Sequence, residues 1–281
     1  MPEELSGFVQ GLTGAITRRA DTYVEMLEES DSKKTLPADE EELLKKLEQY
    51  VADVLDRYVP PGLRHRDSLV FAHLYADASE LAPADRGVSP DEQRYRLIIA
   101  LLAAEVEARG PLRLTRAQNL RLAEIYRGLG RELRTYRLPL HAALAFEQAA
   151  GLYLEVEDHR TRDQCLLAQA RARHQSPRPF GTRVLETVSE ALCGYGYQPY
   201  RLLGWAVLQL VVFSLLLVLI SPGSLADDIY LALTGFISPP GLDDSEAMSG
   251  LIRLLFVVEG YVGVMFVSVF FALLVRRWFR L

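Results

Sequence analysis

The chain has 281 residues, 49% of them hydrophobic, and a formal net charge of −6. That charge argues against nucleic-acid binding, which needs a concentrated basic surface to neutralise phosphates. The 2 cysteines, Cys165 and Cys193, fit no metal-ligand spacing and read as free thiols in a reducing compartment.

Residues 1–175 are charge-rich and carry helical periodicity, so an all-α fold is expected. No basic-then-apolar stretch opens the chain, so no signal peptide is expected. Residues 30–38 are polar, include Lys33, Lys34 and Pro37, and read as a linker. Residues 40–58 are amphipathic and stop at Pro60 and Pro61, which cannot continue a helix. Residues 67–81 and 91–109 read as amphipathic helices too, the second ending at Gly110 and Pro111. Then Tyr126, Leu129, Gly130 and Leu133 are followed by Ala142, Phe146 and Ala149. This spacing suits a helical hairpin over 123–156, in which Gly130 and Ala142 let the helices approach and the larger residues fill the seam. It resembles a single tetratricopeptide repeat, with Leu154 where the closing proline would stand; an ordinary helix pair is the alternative. Residues 160–174 read as a helix that packs on the hairpin.

Residues 176–201 form a connection. Ser176-Pro177-Arg178-Pro179 is stiff. Residues 182–192 read as an amphipathic helix with Val184, Leu185, Val188 and Leu192 on its apolar side, lying either on a membrane face or against the preceding domain. Gly194, Tyr195 and Gly196 read as a turn. Residues 202–281 then form the third part. Two runs within it, 202–220 and 254–275, are close to the ~20 apolar residues needed to cross ~30 Å of hydrocarbon. Arg178, Arg183 and Arg201 precede the first run, and Arg276, Arg277 and Arg280 follow the second. The stretch 221–251 holds no Lys or Arg but carries Asp227, Asp228, Asp243, Asp244 and Glu246. The positive-inside rule then sets both termini in the cytoplasm and the acidic link outside. Tyr200, Trp205 and Trp278 fall where an interfacial aromatic belt belongs.

The link is more than a connector. Asp227 and Asp228 are placed to cap a short helix over 229–233. Thr234, Gly235, Phe236, Ile237 and Ser238 follow, then Pro239, Pro240 and Gly241. An apolar helix followed by a Gly/Pro break suits a re-entrant pore loop over 225–245, whose freed carbonyls face ions. An external loop with a surface helix is the rival. In the second run Glu259 is an ionisable group inside a span, a functional candidate by default, or a side chain snorkelling to the outer interface. Gly260 and Gly263 suit either a bend or close helix packing. Glu259, Gly263, Phe266 and Phe270 share one helix face, which either lines a pore, with the two Phe as a constriction, or packs on the first span.

Two stretches, ALCGYGYQPYRLLGW (191–205) and GLIRLLFVVEGYVGVMFVSVFFALLVRRW (250–278), resemble the two-transmembrane pore-loop channels of prokaryotes, the potassium-channel-like group. Arg253, Glu259, Gly263, Ala272, Arg276 and Arg277 carry the likeness in the inner helix. The resemblance implies a plasma-membrane homotetramer with four pore loops and an inner helix gating at its cytoplasmic end. Thr234-Gly235-Phe236 is only an echo of the TVGYG filter on which potassium selectivity rests. The expectation is therefore a weakly selective channel for monovalent or divalent cations, its outer acidic residues Asp227, Asp228, Asp243, Asp244 and Glu246 concentrating them. A cytosolic helical domain that receives a protein partner or ligand would control it. The 5 histidines, His65, His73, His141, His159 and His174, are scattered. No phosphate loop, nucleophile elbow or dinucleotide fingerprint occurs, so no catalytic residue, metal, cofactor or nucleic-acid partner is expected. The rival reading is a membrane-anchored interaction protein, or a membrane-permeabilising defence effector.

Overall fold

The computed structural model describes residues 2–58, 69–79, 89–176, 200–220 and 250–279, with 187, 190–192, 194, 226, 229, 230, 233, 234 and 236 besides. The described residues hold helices and no strand. The chain divides into two compact units, Met1–Pro179 and Phe180–Leu281.

The first unit contains α1 (Pro2–Ser32), α2 (Leu36–Leu55), α3 (Ala72–Ser79), α4 (Pro90–Arg109), α5 (Arg116–Thr135), α6 (Pro139–Glu155) and α7 (His159–His174). Helix α4 is the axis: it packs against α1, α2, α3 and α5. Every residue from Leu97 to Glu107 is buried. The segment LIIALLAAEVE is apolar nearly all round, and a helix of that kind belongs inside. The amphipathic reading of 91–109 is thus corrected: one stripe was expected and the whole circumference is covered. Ser89 caps its start, its hydroxyl accepting the Glu92 N–H at 3.2 Å.

Helices α5 and α6 form the expected hairpin, and Tyr126, Leu129, Gly130, Leu133, Ala142, Phe146 and Ala149 are all buried. Gly130 is required there, because a Cβ on it would stand 2.9 Å from Phe146 Cε1. A reciprocal capping box starts α5: Gln118 N–H donates to Thr115 Oγ1 at 3.3 Å and Thr115 N–H to Gln118 Oε1 at 2.9 Å.

Three helix ends share one device. Lys34, Arg137 and Glu157 have positive φ values of 58°, 59° and 65°. Behind each, a backbone bond reaches back five residues: Thr35 to Ser30 at 3.0 Å, Leu138 to Leu133 at 3.0 Å, and Asp158 to Tyr153 at 2.9 Å. This is the Schellman closure, with a non-glycine residue in the left-handed position. It turns the chain so sharply that the linker expected at 30–38 shrinks to Lys33–Thr35, between the ends of α1 and α2. Helix α1 itself was not anticipated, although Leu12, Ile16, Ala20, Tyr23 and Leu27 form a buried stripe at helical spacing.

In the second unit, α8 (Tyr200–Ile220) and α9 (Gly250–Phe279) pack on one another. Each is long and apolar enough to cross a membrane: 21 residues in the first and 22, Leu254–Val275, in the second.

Candidate functional site

The buried polar groups of the two units differ in kind. In the first unit the side chains of Tyr23, Glu40 and His141 are fully buried. His141 Nδ1 donates to Glu40 Oε1 at 2.8 Å, and the Tyr23 hydroxyl lies 2.6 Å from His141 Nε2. The same Glu40 oxygen accepts the N–H of Leu140 at 2.8 Å and of His141 at 3.1 Å, at the start of α6. A carboxylate suits that place, because a helix N-terminus presents unpaired N–H groups and positive potential. The distances of this trio would suit proton transfer, but the Tyr23 hydroxyl is closed off from solvent, so the trio is a clasp joining α1, α2 and α6. Burial, and then the Glu40 charge, pushes the Tyr23 hydroxyl far above the usual tyrosine range.

The two carboxylates of α4 are clasps as well. Glu107 accepts from Tyr75 Oη at 2.7 Å and from the backbone N–H groups of Val70 and Phe71. Glu105 accepts from Tyr126 Oη at 3.1 Å and pairs with Arg109 at 2.9 Å. Burial raises the Glu105 carboxyl above the ordinary glutamate value, against the opposing pull of Arg109 and Tyr126. The thiol of Cys165 is free and buried, and burial pushes it up to about 11. Among the described residues no group of three or more His, Cys, Asp or Glu is arranged to hold a metal ion.

The second unit carries the candidate site. Glu259, in α9, is fully buried in the packed pair, and neither carboxylate oxygen has a hydrogen-bond partner among the described residues. Facing it in α8 is Gln209, whose side-chain N–H donates to the Glu259 backbone carbonyl at 3.0 Å while its own carbonyl oxygen is unpartnered. Among the described residues, three acceptor oxygens thus have no donor in the packed interior of two apolar helices. An unpartnered buried polar group costs of the order of 1–3 kcal/mol, more if charged. One turn on, Gly263 is buried beneath Phe236: a Cβ there would stand 2.8 Å from the ring and 3.1 Å from the Phe236 carbonyl oxygen. Gly263 lies near the middle of the apolar stretch Leu254–Val275.

The predicted site residues fall as follows. Thr234 and Phe236 are half-buried and helical, and Thr234 Oγ1 donates to the Tyr230 carbonyl at 2.9 Å. Ala226, Ile229, Tyr230 and Leu233 are helical too, so described helical residues occur on both sides of the expected 229–233. Gly235, Ile237, Ser238, Asp227, Asp228, Asp243, Asp244 and Glu246 lie outside the described residues, as do Arg178 and Arg183. On the predicted α9 face, Glu259 and Gly263 are buried within the chain, while Phe266 and Phe270 are half-buried. Phe270 meets Phe271 edge-on, with centroids 5.8 Å apart.

At the start of α8, Arg201 donates to the Glu190 carbonyl at 3.1 Å and Trp205 Nε1 to the Ala191 carbonyl at 2.9 Å. Gly194 has φ 55° and its N–H donates to the Glu190 carbonyl at 3.0 Å, a turn conformation, while Tyr195 and Gly196 lie outside the described residues. The outward faces of α8 and α9 are apolar, reaching 72% exposure at Leu219 and 78% at Tyr261. Such a surface calls for lipid or further protein. Gln209 is the residue that sequence reading missed; its one signal is that it is the amide inside an uncharged, largely apolar first run.

No family model, curated protein or solved structure matches the chain.

Proposed function

We propose that the chain is the subunit of a gated ion channel in the plasma membrane, with two spans, both termini cytoplasmic and a re-entrant loop between the spans. Its assembly is a homotetramer, its ions are cations passed with weak selectivity, and its N-terminal helical unit receives a ligand or protein partner and biases α9. The observation that carries this reading is the seat of Phe236 on Gly263. A link residue that rests against the middle of an apolar helix long enough to span a bilayer supports a link that dips to membrane depth. Backbone at that depth is tolerated where protein or water covers it, and Gly263 supplies the cover. The donor-poor pair Gln209 and Glu259 lies one turn from the same contact. It reads as the wall behind the pore loop, with Phe266 and Phe270 toward the gate.

Single-channel recording of purified oligomers in planar bilayers tests this. Discrete conductance that changes on Phe236→Ala is expected, and silence from well-folded oligomers under every activating condition sinks it. Labelling of cysteines placed at Thr234 and Ser238 adds a second test: restricted access supports re-entry.

One observation favours a second reading, a membrane-anchored interaction protein whose spans tether and oligomerise it. Glu259 and Gly263 are buried within a single chain, as a purely packing face would be. Free aqueous labelling at Thr234 and Ser238 would select it.

A further inference from the structure

We propose that the groove between α1 and α2 binds a phosphate group, either free or carried on a larger molecule. The proposal concerns the N-terminal unit alone and stands whether or not the chain conducts ions.

The groove is a half-open cavity of about 230 Å³ with Ala15 and Val54 in its lining. Arg18, Arg19 and Arg57 line it, together with Thr22 and Asp53. That places three guanidiniums and one carboxylate in one concavity of a chain whose net charge is −6. Asp53 is already engaged by Arg19 at 2.7 Å. Arg18 and Arg57 have no carboxylate partner among the described residues. The lining therefore carries two uncompensated positive charges, which match a dianion.

Arginine rather than lysine points to phosphate, since the planar fork pairs bidentately with its oxygens. Arg19 is oriented by the Tyr50 ring, 5.0 Å from its Cζ, while the Asp53 carboxylate competes for one of its donors at 2.7 Å. Its remaining N–H groups stay free to donate. Thr22 contributes shape, because its hydroxyl already donates to the Arg18 carbonyl at 3.2 Å. Size sets the ligand class. Pockets that enclose a whole small molecule run to roughly 300–1,000 Å³, so this one takes a phosphate or pyrophosphate group and leaves the rest of a larger ligand in solvent. The nearby end of α2 works against an anion, because helix C-termini are negative. Arg57, just past that end, offsets it, so binding depends on Arg18 and Arg57 together.

Calorimetric titration of the full chain in phosphatidylcholine nanodiscs, with pyrophosphate as the probe, tests the site. Saturable binding is expected, weakened by added salt. Arg18→Ala with Arg57→Ala should weaken it at least about a hundredfold, on the order of tenfold per guanidinium. Asp53→Asn should act in the opposite direction, tightening binding severalfold by removing the competing carboxylate. Absence of saturable binding by the wild type overturns the proposal, as does affinity within about twofold of wild type in the double arginine variant. Should that variant not fold, Asp53→Asn decides alone: unchanged or weaker affinity overturns it. Repeating the titration in discs with phosphatidylglycerol separates two sources of phosphate. Competition seen in the wild type but not in the double variant assigns the site to a lipid headgroup, and unchanged affinity assigns it to a soluble ligand.

Discussion

Among the described residues, the N-terminal unit buries three carboxylates and supplies each with at least one donor, whereas the membrane-type unit buries one, Glu259, whose two oxygens have none. Glu40 collects two backbone N–H groups and an imidazole, Glu107 a tyrosine and two backbone N–H groups, and Glu105 a tyrosine and an arginine. Glu259 has the same burial and, among the described residues, neither oxygen satisfied, beside a glutamine amide that donates to a backbone carbonyl. A carboxylate that gathers donors from several elements holds those elements together. One buried without donors is a strain that folding alone does not explain, which marks it as a functional candidate.

The largest expected effect tests the first half of that contrast. Glu40→Ala strands three donors in a dry core and should cost about 3–5 kcal/mol, read from urea unfolding. Glu259→Gln should leave thermal stability in detergent within about 0.5 kcal/mol, because no donor loses its partner. A large loss at Glu259 would erase the distinction.

The next effect compares the two tight glycines. Gly130→Ala drives a methyl into Phe146 and should cost about 1–3 kcal/mol, recovered in part by Phe146→Leu. Gly263→Ala meets both the Phe236 ring and its backbone oxygen, so shrinking the ring should recover less. Equal rescue at both sites would mean that the Phe236 backbone is free to yield.

A smaller effect lies at the Schellman ends of the N-terminal unit. Glu157→Gly removes the Cβ penalty of the left-handed conformation and should raise stability by up to about 1 kcal/mol, seen as a higher melting temperature.

The smallest effect is a pH slope. The folded Glu105 carboxyl titrates above its ordinary 4.5, so the stability linked to its proton is present below that value. That stability is lost as pH rises through the folded value. Melting curves taken from pH 4.5 upward should show this decline, and Glu105→Gln should flatten it.

Much of the fold was legible in sequence. Periodicity located α2, α4 and α7, and the Tyr126 to Ala149 spacing located the α5–α6 hairpin with its Gly130 contact. Those signals are local, since each rests on residues within one helix or one hairpin. The clasps were not legible. Glu40 sits in an acidic run that reads as a solvated face, and its partner His141 is a hundred positions away. The turns at Lys34, Arg137 and Glu157 were hidden because each uses a residue type that usually avoids positive φ. At the candidate site, Glu259 and Gly263 stood out as a charge and a glycine in an apolar run, while Gln209 and the Phe236 contact did not.

By itself the sequence determined that this chain is helical, that it changes character near residue 200, and that two apolar helices fit a bilayer. Those properties follow from composition and period, which need no knowledge of neighbours. Tertiary structure alone decided which charges lie inside, which of them are satisfied, and which link residue rests on which glycine. Such pairings join distant positions, and their energies depend on distance, burial and the donors at hand.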